Sequence, residues 1–346
     1  MSQNKAVQRI ALLSLCHMGI DFLCAFSLYH SFVRHYEAFL LYNFCAFALQ
    51  MSLGIMIDAW SKKSRKTLLP GTVFTIMGIV LTVCGSFISP IILGIGNALF
   101  HVGGGVLTIH EDDDNSFNGR GLGTFVAPGA IGLILGILYY ETQYFTIIQL
   151  AVSVIMGIIG FILCMSIDER TLKESIHPYV QGDRKLTYLI VSCFAVVVIR
   201  SLTGMSIIFP WKTTKAITII SVIALAAGKT IGGFIAAEIG MKKTVIVTLI
   251  TAALAYMFAD KMWAGLLALL FFNMTMPLTL YLLVKNMSDM PGYAFGILTF
   301  GLFLGYLPVH YGFIKNLSPS PYGVIASLLS LIILYFALKV AEDKNE

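Results

Sequence analysis

Apolar residues run almost unbroken for stretches of about twenty, and short clusters of charged or turn-forming residues close each stretch. A helix needs about 20 apolar residues, each rising about 1.5 Å, to cross the hydrocarbon of a bilayer. Reading between the charge clusters predicts spans near 10–32, 38–57, 69–86, 90–109, 120–139, 144–167, 187–208, 215–238, 244–259, 262–284, 292–312 and 321–339. Stretches 69–86 and 244–259 are short, and discounting them would leave ten or eleven. Twelve is the better count. The fold class expected is an all-α polytopic membrane protein.

The longest polar stretch, 168–186, separates the sixth and seventh spans. It divides the chain into an N-terminal six-helix bundle (1–167), a central loop (168–186) and a C-terminal six-helix bundle (187–346). An internal repeat supports the division. Residues 54–63 read GIMIDAWSKK and residues 233–242 read GFIAAEIGMK, an offset of 179 that matches Gly54 to Gly233, Ser61 to Gly240 and Lys63 to Lys242. Each copy follows the second span of its half.

Composition sharpens this picture. Of 346 residues, 58% are hydrophobic and 12% charged, against about 25% charged in soluble domains. With a mean hydropathy of +0.85, the chain has too few polar side chains to cover a water-facing surface, which excludes a soluble enzyme. If the N-terminus is cytoplasmic, sixteen lysines and arginines lie in cytoplasmic connections and five (Arg34, Lys212, Lys215, Lys261 and Lys315) lie outside. That asymmetry places both termini in the cytoplasm, in what is expected to be a bacterial plasma membrane. It also accounts for the net charge of +5 without a nucleic-acid partner. The first apolar stretch is too long for a cleavable signal, and no small-x-small site follows it. The six cysteines all fall inside predicted spans without CxxC spacing, and read as packing residues.

Twelve spans in two halves, with Gly54, Asp58, Lys62 and Lys63 after the second, resemble the major facilitator superfamily, whose turn there is written G-x-x-x-D-R-x-G-R-K. Here Ala59 replaces the arginine and Ser61 the second glycine. The second copy has Ala237 at the acid's position and Glu238 beside it. The resemblance implies a carrier that rocks two bundles about a central site. It also implies a gating cluster of Asp58, Lys62, Lys63 and Glu238, in which Asp58 caps a neighbouring helix and the lysines pair across the seam. For the lysines alone, a topology-fixing anchor is the simpler reading.

Candidate chemistry lies in the charges within spans, where ionisable groups are costly and mark function. His17 and Asp21, four apart, share a face of the first span. Asp21 is about 16 Å deep, near the midplane. His101 in the fourth span is level with it, with Asn97 one turn away. Asp21, His17 and His101 are therefore the proton-coupling candidates. The offset of 179 carries Asp21 onto Arg200 in the seventh span, and Lys229 in the eighth is also near midplane. Two bases against one acid favour an anionic or zwitterionic ligand, so Arg200, Lys229, Asn97 and Asn273 are the substrate-binding candidates. A structural ion pair between Asp21 and Arg200 is the competing reading.

The segment GNALFHVGGG in span four resembles the superfamily branch that includes fosmidomycin-resistance efflux proteins. GTFVAPGAIG, residues 123–132, partly resembles the superfamily's antiporter motif, with Ala127 before Pro128, and predicts a kinked, small-residue helix. Met276-Pro277 marks a break point in span ten. The run His110 to Asp114 reads as a solvated loop or an acidic cap on span five, not as a metal site. No GxxxxGK[ST] motif supports ATP-driven transport, and no HExxH or Ser-His-Asp arrangement supports an enzyme. The expectation is a secondary transporter without cofactor, acting as a monomer in the lipid bilayer, with a small-molecule substrate and protons as partners, and proton-coupled export as its mode. An uncoupled or uptake carrier of the same fold is the alternative. A non-transporting membrane sensor or scaffold is the alternative from another class.

Overall fold

A computed structural model describes residues 3–166 and 182–345, so most of the proposed central loop lies outside the described residues. The described chain forms twelve helical rods. They are α1 (Gln3–Phe32), α2 (Tyr36–Ser64), α3 (Leu68–Ile88), α4 (Pro90–Asp114), α5 (Arg120–Tyr139) and α6 (Phe145–Met165), followed by α7 (Arg184–Ser206), α8 (Lys215–Ile239), α9 (Met241–Tyr256), α10 (Met262–Asn286), α11 (Pro291–His310) and α12 (Pro319–Asn345). Eleven are long and apolar enough to cross a bilayer, and α9, with 16 residues, is the short one. Large apolar side chains such as Phe161 and Met165 face outward, as lipid requires of a surface with no water to avoid.

Small residues decide how closely the rods approach. On α3, Gly71, Gly78 and Gly85 recur every seventh residue and abut the α4 backbone or side chains from Leu107 to Leu93. A Cβ on Gly78 would collide with the Phe100 backbone, so the glycine lets α3 and α4 approach closely there. The two halves meet along two seams of the same kind. Gly54 of α2 lies against Gly292 of α11, and Gly233 of α8 lies against Gly119 at the start of α5. The two glycines matched by the internal repeat thus occupy corresponding places in the two seams.

Three rods are interrupted. α2 carries a π-helical turn at Phe44–Ala48. α5 breaks at Ala127, where Pro128 has no N–H to give its helix. α10 breaks at Met274, three residues before Pro277, close to the expected point. Several boundaries run past expectation: α1 begins at Gln3 and not at residue 10, and α4 ends at Asp114 and not at residue 109. The α2 helix does not stop at residue 57 but continues through the whole 54–63 motif to Ser64, where Arg65 turns left-handed at φ 56°. Nothing between Gly54 and Ser64 disfavours a helix, so charge alone misplaced its end. The matching motif in the second half does end its helix, at Ile239, because Gly240 takes φ 88°.

Candidate functional site

The cluster at mid-depth is built from α1, α4 and the break in α5. His17 and Asp21 sit one turn apart on α1, and His17 Nε2 lies 3.2 Å from Asp21 Oδ2. From α4, His101 Nε2 approaches His17 Nε2 at 2.8 Å and Asp21 Oδ1 at 3.5 Å. Asn97 Nδ2 donates to Asp21 Oδ1 at 3.2 Å and to Cys24 Sγ at 3.4 Å. Both histidines and Asn97 are buried, and Asp21 is half-buried. The triad expected from depth and spacing is therefore brought together.

The α5 break completes it. Because Pro128 interrupts the helical ladder, the preceding carbonyls are free to accept other donors. Phe125 O takes a hydrogen bond from His17 Nδ1 at 2.7 Å, and Val126 O takes one from Lys229 Nζ at 3.3 Å. Gly129 follows the break because a Cβ there would collide with His17 Nε2 and Asp21 Oδ2. These carbonyls and Gly129 were not singled out from the sequence. Pro128 inside an apolar run was the signal that could have found them.

The second half contributes cations. Arg200 of α7 is 7% exposed, and its buried Nη1 has no hydrogen-bond partner. Lys229 of α8 is within electrostatic reach of both Arg200 and Asp21. Arg200 does not form the ion pair with Asp21 that the repeat suggested, since Asp21 is occupied by His17, His101 and Asn97 on its own side. Asn273 is buried, but its amide donates to Leu269 O at 2.8 Å in its own helix and does not join the cluster.

Among the described residues, His17, Asp21 and His101 are also the group whose donor atoms are close enough to share a metal ion. The 2.8 Å between the two Nε2 atoms suits a hydrogen bond. It is shorter than the roughly 3.3 Å that tetrahedral bonds of about 2.0–2.1 Å to each nitrogen would leave. Two nearby basic side chains further oppose a divalent cation. The donor set fits a proton better than a metal.

At the end bearing the termini, Asp58 is 3% exposed and accepts from the N–H groups of Gly292 at 2.9 Å and Tyr293 at 2.8 Å. It thereby caps α11 of the opposite half. Lys62 bonds Asp289 at 2.9 Å across the same seam, whereas Lys63 is exposed and pairs with no described residue. Glu238 pairs with Arg120 across the second seam, a partner the sequence reading did not supply. The acidic run after His110 is not a solvated loop. Glu111 is buried against Arg9 at 2.6 Å, and Asp112 accepts from the N–H groups of Gly119 and Gly121, capping α5 within its own half. At the opposite end, the Tyr36 hydroxyl donates to His310 O with the two rings stacked at 3.8 Å, and Lys215 Nζ donates to Leu138 O at 2.9 Å.

No protein-family model and no curated protein matches the sequence. Solved structures do match the fold. A crystal structure of a single-residue variant of the E. coli fucose:proton symporter FucP aligns over 97% of this chain and 99% of its own, with a TM-score of 0.65 and 14% identity. A second structure, described as the major facilitator superfamily transporter FucP in the outward conformation, aligns over the same shares with a TM-score of 0.66 and 13% identity. The chain shares its fold with these two transporter structures.

Proposed function

We propose that this chain is a secondary active transporter that moves a small anionic or zwitterionic solute by alternating access, with protons as the coupling ion. The observation that carries the reading is the division of labour at mid-depth. One half holds an acid and two imidazoles in mutual contact, and the other holds a buried guanidinium with an unpartnered nitrogen. Intramembrane ionisable groups are retained where they serve an ion or substrate pathway. Asp21, His17 and His101 form the proton site, Arg200 and Lys229 the anion contacts, and Asn97 fixes the Asp21 carboxylate. Asn273 remains a neutral wall candidate. Asp58, Lys62 and Glu238 latch the two seams, and Lys63 serves as an anchor. No cofactor is required for such a cycle.

The lysine and arginine asymmetry supports an orientation with both termini cytoplasmic, and the carrier is read as a monomer in a plasma membrane. Export is supported by the resemblance of the 96–105 segment to efflux proteins and of the 123–132 segment to the superfamily's antiporter motif. Uptake is the second reading, favoured by the charge balance of the site. A sensor or scaffold would have no use for an unpartnered guanidinium at the midplane.

The test is transport in proteoliposomes under an imposed pH gradient, with thermal stabilisation by anions measured alongside. Wild type is expected to be stabilised by small anions and driven by the gradient. Asp21→Asn is expected to bind and exchange substrate without responding to the gradient. Equal coupling in that variant would remove Asp21 from the proton site.

A further inference from the structure

We infer that the site is built for cotransport, with one proton held between His17 and His101 in the state that accepts a single monoanion at Arg200 and Lys229. The inference rests on the proton and anion sites proposed above and adds their coupling, their ratio and the charge of the solute.

His17 Nδ1 faces the Phe125 carbonyl at 2.7 Å, and His101 Nδ1 faces the Asn97 carbonyl at 2.8 Å. A carbonyl oxygen only accepts, so each Nδ1 carries its ring's hydrogen. A neutral imidazole has one hydrogen, which leaves both Nε2 atoms bare. Yet those atoms stand 2.8 Å apart, with Asp21 oxygens 3.2 and 3.5 Å away. Four lone-pair atoms cannot crowd together without a hydrogen among them. One additional proton therefore bonds Nε2 to Nε2 beside the Asp21 carboxylate, and the triad carrying it is neutral.

The groups around the triad are Cys24 on α1, Asn97 on α4, Tyr42 on α2, the Phe125 and Val126 carbonyls on α5, Arg200 on α7 and Lys229 on α8. Helices α3 and α6 contain no charged residue. With the proton present, Arg200 and Lys229 stand uncompensated. When it leaves, Asp21 balances one of them. An anion is therefore held more tightly by the protonated site, and by reciprocity the bound anion holds the proton. Ligands that strengthen each other travel in the same state and the same direction, whereas exchange requires that each exclude the other. A monoanion has a further consequence. The site loaded with proton and monoanion carries the same charge as the empty, deprotonated site, so both reorienting states cross the membrane at equal electrostatic cost.

The experiment uses the purified full-length protein with L-lactate, glycerate and benzoate as monoanion probes and sulfate as a dianion. The dissociation constant of a stabilising monoanion is expected to fall 5- to 150-fold between alkaline and acidic pH, the usual range of coupling between sites. About one proton should be taken up per anion bound in weakly buffered solution. In proteoliposomes the same anion should acidify the lumen, at a rate unchanged by a valinomycin-clamped potential. Anion binding that is pH-independent, or that releases protons, overturns cotransport while leaving an anion carrier in place. Preference for sulfate, or potential-driven flux, overturns the monoanion ratio. Stabilisation by none of the anions overturns both the inference and the anion-carrier reading.

Discussion

The two halves of this protein share a repeat and a helix order, yet they equip the central site in opposite ways. The first half closes its polar groups on one another. His17, Asp21, Asn97, His101 and the Phe125 carbonyl form a network in which Asn97 Oδ1 is the one buried side-chain atom left without a partner. The second half leaves Arg200 Nη1 unpartnered and sends Lys229 across the seam to a carbonyl of the other half. A buried network with most of its partners satisfied favours a defined protonation state, while an unsatisfied buried cation is costly and is relieved when an anion visits it. The offset of 179 places residues of opposite charge, Asp21 and Arg200, at corresponding positions of the two halves.

That contrast predicts opposite phenotypes for the two halves. The largest effect is expected at Arg200. Arg200→Ala removes the unpartnered guanidinium, and charge-assisted hydrogen bonds of about 1.5–3 kcal/mol correspond to an affinity loss of roughly 10- to 150-fold for a stabilising anion. Titrating such an anion against the variant by thermal shift measures it. Arg200→Lys should recover the charge but not the planar fork, leaving an intermediate affinity. If Arg200→Ala binds anions as wild type does, the second half is not where the solute is held.

Much of this arrangement was legible in the sequence, and the reason is lipid. A bilayer tolerates few charges and no unpaired backbone, so apolar runs report spans directly, and Asp21, His101, Arg200 and Lys229 stand out against them. The i,i+4 spacing of His17 and Asp21 gave a shared face, and equal depth gave His101. What could not be read was anything that depends on the backbone of a third helix. The Phe125 and Val126 carbonyls have no side-chain signature, and only Pro128 hints that they are free. Ion pairs across the seams were equally hidden. Glu238 was noticed for its place in the repeat, but its partner Arg120 lies at the start of another helix, and no sequence spacing links the two.

A middle-sized effect is expected where the α5 break touches the triad. Gly129→Ala places a methyl group against His17 Nε2 and Asp21 Oδ2. Overpacking of this kind costs about 1–3 kcal/mol, which should lower the melting temperature and separate the two rings. Coupling should suffer more than anion binding, since Arg200 is untouched. Parallel measurement of lumen acidification and anion affinity distinguishes the two. Equal loss of both would mean that the triad and the cations form one inseparable site.

The smallest effects belong to the latches, and they rank by burial. Asp58 accepts two backbone hydrogen bonds while 3% exposed, whereas Lys62 pairs with Asp289 through a side chain that is 47% exposed. Asp58→Ala leaves the first N–H groups of α11 without their cap, at a cost of about 0.5–2 kcal/mol. That cost falls on the state in which α2 and α11 are joined at this end, so the variant should shift toward the state open there. Lys62→Ala removes a solvent-screened pair of at most about 1 kcal/mol, and for a half-exposed lysine the lower part of that range applies. Accessibility of a cysteine introduced at Ser61, buried at the same end on the face of α2 that carries Asp58, reports the shift. Its labelling should rise clearly in Asp58→Ala and barely in Lys62→Ala. A Lys62 effect as large as that of Asp58 would show that the seam is held by surface charge and not by the buried cap.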